Sequence, residues 1–180
     1  MLNEPIDLTR IDATRIIDSL YDIFDRDFVS NPTYLANTIY VDPQSERKEQ
    51  GKELSFWHLT TRKDSTVEWV NGRKVVTEGE RYPDFQRASR LEWIKQILTN
   101  HDDECIKMFF YKEKAGKKPI RLYLWAEVYD FVVILQKLGN SSSFLVTSFY
   151  IDHDRKRRDF QKRYDAYIDN STGLANYRWF

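Results

Sequence analysis

Four apolar runs between residues 104 and 151, separated by short polar breaks, commit this chain to a sheet. They are 105–111 (CIKMFFY), 120–128 (IRLYLWAEV), 129–138 (YDFVVILQKL) and 143–151 (SFLVTSFYI). Each is short and rich in aromatic and β-branched residues, which fit a pleated, half-buried surface. The run at 120–128 alternates cleanly, the period of a half-buried strand. The run at 129–138 is apolar on both faces, as a central strand is. The breaks KEKAGKKP and LGNSS are too short for parallel crossovers, so neighbouring strands must run antiparallel. The spacing predicts a four-stranded antiparallel meander.

Elsewhere the period is helical. Ala13, Ile16, Ile17, Leu20, Phe24 and Phe28 recur at helical spacing over 9–29, and Thr9 with Asp12 resembles a capping box. The Asn-Pro-Thr at 31–33 ends that helix, and 33–40 reads as a short second one. Residues 42–55 are polar and without period, a loop. The segment SFWHLTTRKD at 55–64 reads as an extended strand. Asn71-Gly72 between two apolar runs signals a hairpin over 65–80. Pro83 and Asp84 start a helix that runs to about Leu98. A last helix covers 152–168, with Phe160, Tyr164, Tyr167 and Ile168 inward. The tail after it is loose except where Trp179 and Phe180 dock. The fold class is therefore α+β: N-terminal helices plus a four-stranded antiparallel meander with helices packed on one face. Residues 1–180 form one domain, long enough to bury a sizeable core. Its core spans about 55–151, with a helical part at 1–54 and a basic helix and tail at 152–180.

Charge excludes one class of function. Lys+Arg and Asp+Glu balance at 28 each, so bulk charge cannot carry nucleic-acid binding, although a local basic site can. Aromatics make up 15% of the chain, which argues for a folded protein. The single cysteine, Cys105, permits no internal disulfide. It sits in an apolar run and reads as a buried, inert thiol. The first twenty residues are charged throughout, and no apolar run approaches a membrane span. The expectation is a cytoplasmic protein with no membrane partner. No glycine-rich phosphate loop, CxxC pair, HExxH or GxSxG is present, so no cofactor and no metal are expected.

The chemistry-bearing residues are few. On the helix from Asp84, the residues Ala88, Leu91, Ile94 and Leu98 form an apolar arc with Ile97 at its edge. Arg87 and Arg90 precede Leu91 and Ile94 by one turn and fall on the same side. A guanidinium there needs a buried carboxylate, a path to the rim, or a cleft that holds an anion such as phosphate. His101, in NHDDE, reads as part of a helix-end polar loop. His153, in IDHD, reads as part of a solvated turn beside two carboxylates. His58 follows Phe56 and Trp57 and precedes Thr60, Thr61, Arg62 and Lys63. It is either a satisfied structural histidine or a general acid or base beside cations that bind an anion. Burial by the aromatics and nearby positive charge both predict a downward pKa shift for it. Thr147 interrupts the last apolar run and, on period 2, shares a face with Leu145 and Phe149. It is either a strand former or a hydroxyl aimed into a cleft near Arg87 and Arg90. The run Arg155, Lys156, Arg157, Arg158, Lys162, Arg163 is the densest positive patch. It is either a solvated helix face or a phosphate-backbone contact.

The FWHLTTR segment, the RASRLEWI helix and the closing FLVTSFY strand together resemble the phage-associated branch of the barnase–EndoU–colicin–RelE-like nuclease superfamily. Members of that branch share an aromatic-His segment, an R-x-x-R-x-x-W-I helix and a closing V-T-x-[FY] strand. The resemblance covers roughly residues 55–151. It implies a fold similar to small metal-independent RNases and RNase toxins, with His58, Arg87, Arg90 and Thr147 in one cleft and Arg62 beside them. It implies a metal-independent endoribonuclease, of toxin or phage-conflict type, that cleaves RNA by attack of the 2′-hydroxyl. Trp57 or Trp125 would stack a base, and Arg157 and Arg158 would add affinity for single-stranded or tRNA-like RNA. A protein inhibitor is the second partner such a toxin would have. The alternative is a non-enzymatic RNA- or protein-binding module on the same fold, since fold alone guarantees no activity.

Overall fold

The protein is described here from a computed structural model covering residues 2–44, 46–114 and 120–179, and all their side chains except those of 63–65 and 78. The N-terminal helix comes in pieces. Two 3-10 turns, Leu8–Arg10 and Ala13–Arg15, lead into α1 (Ile16–Phe24), which continues as a π turn over Asp25–Val29. Local capping breaks it up. Asp7 accepts from the Thr9 N–H and Asp12 from the Thr14 N–H, so two aspartate turns replace the expected Thr9–Asp12 box.

Residues 33–40 are extended rather than helical. β1 (Tyr34–Leu35) and β2 (Ile39–Asp42) pair antiparallel, and Ala36 and Asn37 turn between them at φ 51° and 56°. The β-branched and aromatic side chains of Ile39, Tyr40 and Val41 favour a strand, and Ile39 and Val41 are buried. The polar loop holds a small hairpin, β3 (Lys48–Glu49) and β4 (Lys52–Glu53). The next segment corrects the sequence reading most. α2 (Leu54–Thr60) is a helix, not a strand. It buries Phe56, Leu59 and Thr60, while His58 faces out. Seven residues are too few for the helical period to declare itself.

β5 (Thr61–Val70) and β6 (Arg73–Pro83) form a long ribbon around the expected turn, with Asn71 and Gly72 at φ 52° and 75°. The next helix is split into α3 (Phe85–Ala88) and α4 (Leu91–Thr99). Asp84 caps α3, accepting from the Arg87 N–H, while Arg90 at ψ 18° interrupts the helix. The apolar arc is nonetheless where the spacing put it: Ala88, Leu91, Ile94, Ile97 and Leu98 are all buried.

β7 (Ile106–Lys112), β8 (Ile120–Ala126), β9 (Phe131–Lys137) and β10 (Ser142–Tyr150) follow, then α5 (Asp154–Ile168). The fold is mixed α and β with an antiparallel-rich sheet, but that sheet has six strands, ordered β1-β2-β10-β9-β8-β7, not four. β2 lies parallel to β10 and pairs only with Ser142–Phe144. The helices lie on both faces, not one. Leu122, Leu124, Val133 and Leu135 pack in one core with Phe24, Phe56, Leu91 and Ile94. Tyr123, Trp125, Val132 and Ile134, the alternate positions, pack in a second core with Phe160 of α5. Strands apolar at both parities demand two covers, and each buried Leu or Phe contributes roughly 1.5–3 kcal/mol. Tyr164 and Tyr167 join that second core, whereas Ile168 is exposed. Trp179 docks edge-on against Phe110 at 5.8 Å between centroids. Phe180 and residues 115–119, where a turn is expected, lie outside the described residues.

Two details of β10 set up the site. Past Phe144 no further strand among the described residues pairs on its β2 side, and α2 and α3 pack against β10. Between Leu145 and Thr147 the register with β9 slips at Val146, a β-bulge. The slip turns Thr147 to the face opposite Leu145: Leu145 opposes Leu135 in one core and Thr147 opposes Ile134 in the other. The face expected to be shared with Leu145 is lost because the bulge adds one residue to the period, whereas the face shared with Phe149, which opposes Val132, is kept.

Candidate functional site

A cleft of about 370 Å³ opens beside the bulge, lined by His58, Thr61, Arg62, Arg81, Arg87, Val146 and Thr147. Five elements meet there. The last turn of α2 supplies His58, and the start of β5 supplies Thr61 and Arg62. The end of β6 and the short α3 supply Arg81 and Arg87, and the bulge supplies Thr147. Asp84 ties these together: its N–H donates to the Thr60 carbonyl at 2.9 Å, and its side chain caps α3.

The polar contacts hold the arginines in place. Arg87 Nη1 donates to the His58 carbonyl at 3.1 Å, and its Nε lies 3.4 Å from Asp84. Arg81 is 13% exposed; its Nη1 donates to Thr61 Oγ1 at 3.1 Å and its Nη2 lies 3.7 Å from Glu49. Arg81 Nε is buried without a hydrogen-bond partner. Arg62 Nε donates to the Tyr82 hydroxyl at 2.6 Å, with the guanidinium over that ring. The lining thus holds three guanidiniums, an imidazole and hydroxyls, and no carboxylate among the described residues. Such a concave, positive surface focuses field on an anion.

Of the residues expected to converge, His58, Arg62, Arg87 and Thr147 do so. Arg90 does not. Its guanidinium lies between the rings of Trp93 and Tyr150, at 5.1 and 4.5 Å, and donates to Gln86. Burial lowers its pKa, with Tyr150 opposing. The break at Arg90 explains the miss, because a continuous helix would have carried both arginines to one side. His58 is exposed, so the burial half of its expected pKa argument fails: Phe56 and Trp57 face the core instead.

Neither proposed stacking residue is open to a base. Trp57 is buried and its Nε1 donates to the Glu49 carbonyl, and Trp125 is wholly buried beneath α5. Arg157 is tied to the buried Asp130, while Arg158 is exposed on α5 outside the cleft. Cys105 is exposed rather than buried, in the turn before β7, and Asp103 holds its thiol pKa up. His153 caps α5 through Nδ1, and His101 is half-buried at the end of α4.

Arg81 is the residue that sequence reasoning undervalued. Counting back from the Asn71-Gly72 turn sets Arg81 opposite Arg62, and an irregularity between Lys63 and Ser65 moves it one place to Lys63, still beside Arg62, so hairpin register carried the signal. Set against protein-family models, curated proteins and solved structures, the chain matches none.

Proposed function

We propose that this protein is a metal-independent endoribonuclease, and that the His58 cleft is its active site. The observation that carries the proposal is the meeting of one imidazole, three guanidiniums and two threonine hydroxyls around a single open cleft. RNA brings its own nucleophile. His58 takes the proton from the 2′-hydroxyl, or gives one to the departing 5′-oxygen, and solvent water makes the other transfer. The 2′-oxygen attacks phosphorus, a pentacoordinate phosphorane forms, and the P–O5′ bond breaks. Arg87 and Arg81 stabilise the phosphorane charge; Arg81 replaces Arg90 in that role. Thr147 positions a phosphate oxygen. The products are a 2′,3′-cyclic phosphate and a 5′-hydroxyl. Membership of the barnase–EndoU–colicin–RelE-like superfamily, a toxin or phage-conflict role and a protein inhibitor belong to the same proposal.

Among the described residues no helix is long and apolar enough to cross a membrane. A second reading, a binding module without catalysis, draws on the exposed apolar side chains of the β5–β6 ribbon, Trp69 foremost. Incubating pure protein with total RNA in EDTA separates the two. EDTA-resistant cleavage leaving cyclic-phosphate ends supports the nuclease; intact RNA turns the assignment to the binding module.

A further inference from the structure

A second cavity, of about 160 Å³, adjoins the first and shares Arg62 and Arg87 with it. Its other walls come from Asp84 and Gln86 at the start of α3, Phe149 and Tyr150 at the end of β10, and Asp152 and Lys156 at the start of α5. The two arginines therefore stand between two hollows. The hollows differ in chemistry: the first has no carboxylate among its lining residues, whereas the second has two, Asp84 and Asp152.

That difference decides what each can take. Carboxylates repel a phosphate but accept hydrogen bonds from the N–H groups of a base or the hydroxyl of a ribose. The Gln86 amide can donate or accept. Asp84 is engaged through both oxygens, one capping α3 and the other 3.4 Å from Arg87 Nε. Asp152 is exposed, with the His153 ring 3.5 Å away. Lys156 Nζ sits 4.2 Å from the Phe149 ring centroid, at the cavity wall, one turn before the α5 face that carries Phe160. A group with a neutral, donor-bearing head and an anionic link fits this pair of hollows, with the link across Arg62 and Arg87.

We propose that the second cavity is a nucleoside subsite, holding the base next to the phosphate that occupies the first cleft, and that it admits only unpaired RNA. This rests on the nuclease reading. A base held by its edge in a pocket must be out of a duplex, because pairing occupies the Watson–Crick edge and the deep, narrow A-form major groove hides the opposite one. Asp152 is the base-reading group and Lys156 the cation that keeps the entering strand against the cavity.

The test is binding of fluorescent 2′-fluoro oligonucleotides, which lack the attacking hydroxyl and so survive. Single-stranded tetramers of A, C and U and a blunt duplex are titrated into the wild-type chain, Asp152→Ala and Lys156→Ala, with thermal melts to confirm folding. The expected result is a single-strand preference over duplex of at least about tenfold in the wild type. Asp152→Ala should narrow the spread among the three tetramers by about tenfold, the loss of one charged hydrogen bond. Lys156→Ala should weaken all three alike and flatten the salt dependence by about one unit of slope. If wild type and Asp152→Ala bind with the same spread, the subsite is overturned while the nuclease proposal stands. If the wild type binds no RNA at all, both fall. A changed spread with no cleavage of ordinary RNA would keep the subsite and remove the catalysis.

Discussion

The β9 strand and the β5–β6 ribbon are written in the same alphabet and end in opposite environments. Val132, Val133, Ile134 and Leu135 in β9 are buried at every position, between α5 on one side and the α1, α2 and α4 layer on the other. Val67, Trp69, Val70, Val75 and Val76 in the ribbon are all exposed, Trp69 at 72%. Both stretches carry β-branched residues that favour strands whatever covers them. The difference lies in cover. β9 has a hydrogen-bonded neighbour along each edge and helices on both faces, whereas the ribbon's strands pair only with each other. The ribbon is anchored at its base, where Thr61, Arg62 and Arg81 enter the cleft. The sheet therefore supplies stability, and the base of the ribbon supplies side chains to the cleft proposed as the active site.

The sharpest way to break that contrast is at its two tryptophans. Trp125→Ala should lower unfolding free energy by about 3–5 kcal/mol in a urea titration. A loss near zero would mean that α5 does not seal the second core. On the chemical side, His58→Ala should lower RNA cleavage by about 10²–10⁴ with an unchanged melting curve. Full activity would remove His58 from the mechanism. Arg81→Ala and Arg87→Ala should each slow turnover by about 10²–10³. Arg90→Ala, which loses the Trp93 and Tyr150 rings, should instead lower the melting temperature and leave turnover nearly intact. A reversed pattern would restore the helix pair and exclude the ribbon base.

A smaller effect should appear at alkaline pH. Burial and a hydrogen bond to Glu53 push the Tyr21 phenol up to about 12, and burial with a bond to Glu113 raises Tyr123 further. Between the ordinary phenol value and these raised ones, the unfolded chain has lost protons that the folded chain keeps. Stability should therefore fall as pH rises from about 10 to 12. Urea midpoints across that range should drop for the wild type and drop less for Tyr123→Phe. The smallest effect is the counterpart of the first: Trp69→Ala should change unfolding free energy by no more than about 0.5 kcal/mol. A larger loss would show that the ribbon face is covered after all.

Much of this was legible in the chain, and what was not has local causes. The four strand runs and the arc on α4 could be read because each spans enough residues for its period to show. Residues 33–40 and 55–60 could not, because a two-residue strand and a seven-residue helix are shorter than the window over which their periods become recognisable. Helices on both faces were implied by the two-sided apolar run at 129–138 but went unused. Within the site, His58, Arg62, Arg87 and Thr147 were found from residue type and position. Arg90 was misplaced by a helix break that no Gly or Pro announces, and Thr147 turned over at a bulge that no residue type marks.

The parallel pairing of β2 with β10 bears on how the chain assembles. Tyr40 N–H donates to the Ser141 carbonyl at 2.9 Å, and Ser143 Oγ donates back to the Tyr40 carbonyl at 3.2 Å, across about a hundred residues of intervening chain. Closing so long a loop is slow, and during synthesis the N-terminal hairpin must wait for β10 to emerge before it can join the sheet. The cleft begins where that pairing ends, and its last wall, the Val146 bulge, emerges only after Phe144. A nascent chain stalled between residues 87 and 147 carries His58, Thr61, Arg62, Arg81 and Arg87 without the Thr147 wall that faces them. The cleft is completed only by the last strand of the sheet to emerge.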